Sequence, residues 1–97
     1  MARLSDEEIE ERLEGGQWLR DGDSLIRYVE CGGFAAAMDL ANAVADAANA
    51  ANHHPDILVH DYKHLKFSLS THSEGGITEN DFSLAGTIDK LVAEAAD

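Results

Sequence analysis

The sequence of 97 residues is poor in cysteine, proline, aromatic residues and cations. Its single cysteine, Cys31, excludes an intramolecular disulfide and is typical of a reducing compartment. It contains no run of about 18 apolar residues, and its N-terminus lacks a basic segment followed by an apolar one. We therefore expect a soluble, cytoplasmic protein that is neither exported nor inserted in a membrane.

The scarcity of cations leaves a strongly acidic chain, with 19 Asp and Glu against 7 Lys and Arg and a formal net charge of −12. A field of this sign repels phosphate backbones, so nucleic-acid binding is not expected. Such a charge on so small a chain also resembles proteins adapted to high salt, where ions screen the self-repulsion. Unfolding at low ionic strength and recovery in molar salt would support that adaptation.

Capping and turn signals organise the first third of the chain. Ser5 is placed as an N-cap with Glu8 as its capping-box partner, and the glycine pair at 15–16 ends that short helix. Asp21-Gly22 is the dipeptide favoured in tight hairpins, and it separates two strand-like segments. The sequence therefore predicts a helix followed by a β-hairpin.

The longest periodic run extends from Phe34 through Asn52 and predicts an alanine-rich helix. Its predicted apolar stripe consists of Phe34, Met38, Leu40, Ala41, Val44, Ala45 and Ala48. The helix must end near Asn52, because Pro55 disfavours helical geometry at the residue before it. Trp18 and Phe34 are expected in the core.

A second hairpin and a closing helix follow. Ile57–His60 and His64–His72 have strand character, and the second alternates cleanly between apolar and polar residues. Thr78 and Asp81 repeat the capping pattern and open the last helix. The order α-β-β-α-β-β-α predicts one α+β domain over residues 1–97, a four-stranded antiparallel sheet with helices packed on one face.

All five histidines lie between Asn52 and Asp81, and three of them, His53, His54 and His72, stand near the only proline and a glycine pair at 75–76. Imidazole has an unperturbed pKa near neutrality, so histidines gathered in one pocket can both give and take a proton. The alternative is that these are surface histidines without a role. His60 and His64 are expected in solvent around the second hairpin.

At these residues the chain resembles the pterin-4a-carbinolamine dehydratases. The matching motifs are His53-His54-Pro55, Leu69-Ser70-Thr71-His72, the glycine turn, and Thr78-Glu79-Asn80-Asp81-Phe82. The spacing between the histidine pair and the later histidine fits as well. The resemblance extends through the long helix to Phe34, and more loosely to Trp18.

The resemblance implies dehydration of a 4a-hydroxytetrahydropterin to the quinonoid dihydropterin plus water, in pterin recycling, without metal or organic cofactor. It implies His53, His54 and His72 as the active-site histidines, with His53 and His72 expected in acid–base work and His54 in binding. The expected substrate contacts are His54, Ser70, Thr71 and Asp81. Asp81 also has a structural explanation as the third residue of a capped helix. Association through sheet edges into a homodimer or homotetramer is implied too.

Two departures from the family pattern keep alternatives open. The family usually has an acid four residues before the first histidine, where this chain has Asn49, and an aromatic residue where Ile57 stands. A non-catalytic interaction module on the same scaffold is therefore a second interpretation. A histidine-based metal-binding protein is a third, although no two candidate ligands share a helix face at a metal-binding spacing.

Overall fold

The structure, a computed structural model, describes residues 2–96 and has the predicted α+β architecture. The elements in chain order are α1 (Asp6–Leu13), β1 (Leu19–Asp21), β2 (Ser24–Glu30), α2 (Phe34–Ala51), β3 (Asp56–His60), β4 (His64–Leu69) and α3 (Glu79–Ala96). A one-turn 3₁₀ helix, His72–Glu74, lies between β4 and α3. Among these described helices, none has the length and apolarity needed to cross a bilayer.

The four strands form one antiparallel sheet in the order β1-β2-β4-β3. The alternation predicted for β4 is confirmed, because Leu65, Phe67 and Leu69 are fully buried while the residues between them are partly exposed. These three side chains belong to one buried cluster with residues of all three helices. The opposite, more open face of the sheet carries Lys66 and Ser68, which are partly exposed, beside the buried Ile26.

The predicted stripe of α2 is partly wrong. Phe34 is 56% exposed and Met38 36% exposed, whereas Ala37, which was not in the predicted stripe, is fully buried. The buried positions are Ala37, Leu40, Ala41, Val44 and Ala48. Helical geometry explains the shift: a buried face that includes Ala37 and Ala41 leaves Phe34 and Met38 at its edge. Trp18 is buried, as predicted.

The last strand is shorter than predicted, since β4 ends at Leu69 rather than at His72. Beyond it, the backbone groups of Thr71 and Gly76 pair with each other, with Thr71 N–H donating to the Gly76 carbonyl at 2.9 Å. Gly75 closes the loop at φ 69°, a conformation that favours glycine. His72 is therefore carried by a tight turn after the strand.

Candidate functional site

The site is built where the end of α2 approaches the start of α3. Asn52 terminates α2 in the left-handed conformation, at φ 51°, and His53 N–H donates to the carbonyl of Ala48 at 3.1 Å. Asparagine tolerates this conformation better than most residues. The reversal sets the direction of the extended segment that carries His53, His54 and Pro55.

His53 is held by a buried carboxylate. Its Nε2 lies 2.6 Å from Oδ1 of Asp81, a residue that is fully buried. The other oxygen, Oδ2, accepts the Thr71 hydroxyl at 2.8 Å and the Thr78 backbone N–H at 2.9 Å. A carboxylate buried without partners would be costly, and three hydrogen bonds compensate its loss of water.

The hydrogen bonds around Asp81 have a defined direction. The one hydrogen of the Thr71 hydroxyl is donated to Asp81, so the Thr78 hydroxyl, at 2.8 Å, must donate to Thr71. An ionised carboxylate only accepts, so His53 Nε2–H is the donor to Oδ1. When the ring is neutral, its other nitrogen, Nδ1, is then the atom free to accept a proton. With Asp81 ionised, this direction selects the Nε2–H tautomer of neutral His53.

His54 lies on the other side of the extended segment, as adjacent residues there should. Its ring is exposed, and Nε2 lies 3.1 Å from the amide oxygen of Asn49. The position where the resemblance leads us to expect an acid is therefore in direct contact with this histidine. A neutral amide supports the imidazolium form less than a carboxylate would.

A shallow depression of about 20 Å³ opens beside the buried network, on the open face of the sheet. Its lining residues are Ser24, His54, Asp56, Ser68, Ser70 and His72. It is too small to enclose a bicyclic ring, so a flat heterocycle would lie across it with one face open to solvent. The Ser70 hydroxyl is already used, since it donates to the carbonyl of Asp23 at 2.7 Å.

The candidate residues thus fall into two adjoining groups. His54, Ser70 and His72 line the depression, whereas His53, Thr71 and Asp81 form the buried network. The two groups are adjacent along the chain, because His53 precedes His54 and Thr71 lies between Ser70 and His72. His53 does not line the depression, and its contact with Asp81 is the hydrogen bond that defines its position.

The remaining two histidines lie on the second hairpin. His60 and His64 are cross-strand partners whose rings stack with centroids 5.4 Å apart, and both are partly exposed. Close by, an ion pair with Lys63 lowers the pKa of Glu30, with a smaller effect of His64. Neither ring contacts the buried network or the depression, which makes these two histidines suitable controls.

Sequence reasoning missed Asp56, the acidic residue that follows Pro55 and lines the depression. The signal was available, since Asp56 is two residues from His54 and an extended segment places such residues on the same side. Within residues 2–96, no group of three or more His, Cys, Asp and Glu side chains is arranged to hold a metal ion.

Comparison with known proteins assigns the chain to a family. The family model described as pterin 4 alpha carbinolamine dehydratase matches residues 2–91. A relative from Mycobacteroides abscessus is 46% identical over 93 residues, which cover 95% of this chain and 98% of the relative. A relative from Nocardia farcinica is 46% identical over 89 residues, covering 91% and 93%. Both relatives have pterin-4-alpha-carbinolamine dehydratase as a provisional name.

Two solved structures are similar. A transcriptional coactivator/pterin dehydratase from Brucella melitensis superposes with a TM-score of 0.86 and 27% identity, covering 93% of this chain and 98% of that one. A pterin dehydratase-like protein described as a RuBisCO assembly factor in the alpha-carboxysome, at TM-score 0.66 and 20% identity, shares the fold; 80% of this chain and 92% of that chain are covered. This chain belongs to the pterin 4 alpha carbinolamine dehydratase family.

Proposed function

We propose that this protein dehydrates a 4a-hydroxytetrahydropterin to the quinonoid dihydropterin, by histidine acid–base catalysis and in the recycling of tetrahydrobiopterin or a related pterin. Family membership supports the class of substrate. The observation that carries the proposal is His53 held in one tautomer by buried Asp81, next to a depression lined by His54 and His72.

The reaction needs one acid and one base. The bond between C4a and the hydroxyl oxygen breaks as an acid protonates that oxygen, and water leaves. A base removes the proton on N5 while the C4a=N5 double bond forms, so one proton enters and one leaves. Each positioned group typically contributes about 10²–10⁴-fold.

His53 and His72 are assigned to the proton transfers and His54 to binding. The hydrogen bond from His53 Nε2 to Asp81 orients the ring and stabilises the imidazolium that forms when Nδ1 takes a proton, as the carboxylate does in other His–Asp pairs. His72 is exposed on its turn and can exchange protons with solvent. Thr71 acts through Asp81, and Ser70 supplies a polar wall to the depression.

The test is a rapid assay with chemically prepared 4a-hydroxytetrahydropterin, run at low and at molar salt because of the net charge of −12. We expect dehydration well above the spontaneous rate and unaffected by a chelator. His64→Ala should retain this activity because His64 lies outside the site. No acceleration by a folded protein at either salt concentration would overturn the proposal.

A non-catalytic interaction module is the second candidate. Asn49 beside His54 favours it, as does the similar protein from Brucella melitensis, which is a transcriptional coactivator/pterin dehydratase. Two results together would favour this candidate over the first. The wild type would bind a pterin without accelerating its dehydration, and the Asn49→Glu variant would also dehydrate it only at the background rate.

We also propose that residues 1–97 act as one domain within a homodimer or homotetramer. The edge strands of the sheet are β1 and β3, and each carries a large exposed apolar side chain, Leu19 at 59% and Leu58 at 53%. Unpaired edges with apolar residues are suited to pairing with another chain. Light scattering after size-exclusion chromatography should give a multiple of 10.5 kDa; a monomer at assay concentration would contradict the proposal.

A further inference from the structure

The depression contains one carboxylate, that of Asp56. Within the part of the chain that the structure describes, no side-chain hydrogen bond or ion pair engages Asp56. By contrast, Ser70 is bonded to Asp23, and His54 to Asn49. Among the lining groups, Asp56 is thus an acceptor with its full hydrogen-bonding capacity available.

The register of the sheet places this carboxylate beside a hydroxyl. Asp56 is the cross-strand partner of Ser68, and both residues line the depression. Such partners have Cβ atoms about 5 Å apart. Asp56 also follows His54 by two residues in an extended segment, so both side chains project to the same side. An acceptor, a hydroxyl and an imidazole therefore border one small area.

The proposed substrate class has a matching edge. The pyrimidine ring of a pterin carries an N3–H and a 2-amino group side by side, two parallel donors like those of a guanidinium. A carboxylate can accept both, and charge-assisted pairs of this kind are stronger than neutral hydrogen bonds. The adjacent 4-oxo group is an acceptor, for which the Ser68 hydroxyl is a donor. C4a lies across the pyrimidine ring from C2, so this edge can be held while the reacting carbon stays accessible.

We propose that Asp56 determines specificity by accepting the N3–H and 2-amino donors of the substrate's pyrimidine ring. The assignment rests on the proposed function and adds to it a recognition residue and an orientation. It concerns binding of the ring and assigns Asp56 no proton transfer.

The experiment combines protein variants with two ligands. Asp56→Asn replaces one acceptor oxygen by a donor without changing the shape, and KM for 4a-hydroxytetrahydropterin should rise about 10- to 100-fold with kcat within about threefold. Asp56→Glu should recover part of the loss. Asp46→Asn is the matched control, since it removes the same charge from an exposed position on α2, and it should leave KM unchanged.

Binding of two stable ligands, 7,8-dihydropterin and its 2-dimethylamino derivative, isolates the contact. Wild type should bind the dimethylamino ligand about tenfold or more weakly, and Asp56→Asn should bind both ligands with similar affinity. An active wild type whose KM and ligand preference are the same in Asp56→Asn would overturn the assignment and leave the proposed function intact. A wild type that neither dehydrates nor binds the pterin would remove both.

Discussion

Helices α1 and α3 both begin with a hydroxyl residue and an acidic residue in capping positions. Only the acidic residue of α3, Asp81, contacts a histidine. At α1, Ser5 and Glu8 form a reciprocal capping box with two hydrogen bonds of 3.1 Å, and both residues are exposed. At α3, Thr78 and Asp81 occupy the equivalent positions, and both are fully buried. The sequence pattern is shared, and the surroundings differ.

Burial changes what the carboxylate can do. Asp81 caps the helix through Oδ2 and presents Oδ1 to His53, whereas Glu8 is exposed at the surface. In a water-poor environment an ion–dipole contact is stronger and an unpaired group is more costly. A helix cap thus becomes part of a candidate active site when tertiary packing brings a titratable ring to the oxygen that the cap leaves unused.

The largest difference between the two helix caps is expected when each carboxylate is removed. Asp81→Ala leaves the N–H of Thr78, the hydroxyl of Thr71 and the ring of His53 without their acceptor in a buried site. We expect the free energy of unfolding to fall by about 3 kcal/mol. Glu8→Ala, the matched variant, should produce a much smaller change. Equal urea midpoints for the two variants would show that burial does not increase the stability contributed by the Thr78–Asp81 cap.

The histidines offer the next contrast, between a ring anchored on a buried carboxylate and one that lies on the surface. His53→Ala should lower kcat by about 10²–10⁴-fold if the ring transfers a proton. His60→Ala removes a ring held by exposed Asp61, and it should leave kcat unchanged. The measurement is steady-state dehydration kinetics of both variants beside the wild type. Unaltered turnover in His53→Ala would remove this residue from the mechanism.

Asn49→Glu gives the exposed His54 a carboxylate of its own. The new side chain would face His54 Nε2 and favour the imidazolium. An exposed ion pair contributes about 0.2–1 kcal/mol, so kcat/KM should rise about 1.5- to 5-fold. Asn42→Glu adds the same charge at an exposed position earlier in α2, and it should have no effect. Equal rates in the two variants would show that an acid at position 49 is dispensable.

The smallest effect is expected at the exposed box. Ser5→Ala removes the N-cap and should destabilise the protein by about 1 kcal/mol without changing kcat. A change in kcat comparable with that of His53→Ala would contradict the view that this box is purely structural.

The same box gives a prediction for pH. Hydrogen bonds from the Ser5 backbone and hydroxyl lower the pKa of Glu8 below its usual value. A lowered pKa contributes stability that is present above the unfolded-state pKa, near 4.5, and is lost as pH falls through the folded value. Glu8→Gln should therefore unfold with less dependence on pH in the acid range. A wild type and variant with parallel pH profiles would contradict this coupling.

The elements that sequence reasoning predicted well are those determined by local chemistry. Alternation placed Leu65, Phe67 and Leu69 in the core, and the capping pattern located the starts of α1 and α3. The family motifs predicted His53, His54 and His72 as site residues, and the structure places His54 and His72 at the depression and His53 in contact with Asp81.

The errors concern packing between elements. The periodicity of α2 does not state which way its first turn rotates, and Phe34 and Met38 proved exposed. Thr71 and His72 continue the alternation of β4, although a turn closed by Gly75 removes them from the strand. The dual role of Asp81 requires the end of α2 to meet the start of α3, a contact between residues 28 positions apart in the sequence.

Asp81→Asn is the variant that tests most directly whether a buried carboxylate makes His53 a proton-transfer group. The amide preserves the shape of the side chain, and urea unfolding would establish that the variant is folded. With 4a-hydroxytetrahydropterin as substrate, kcat should fall at least about 100-fold, since the amide neither fixes the tautomer nor stabilises the imidazolium. A folded Asp81→Asn protein that turns over at the wild-type rate would contradict the central role given to the His53–Asp81 pair.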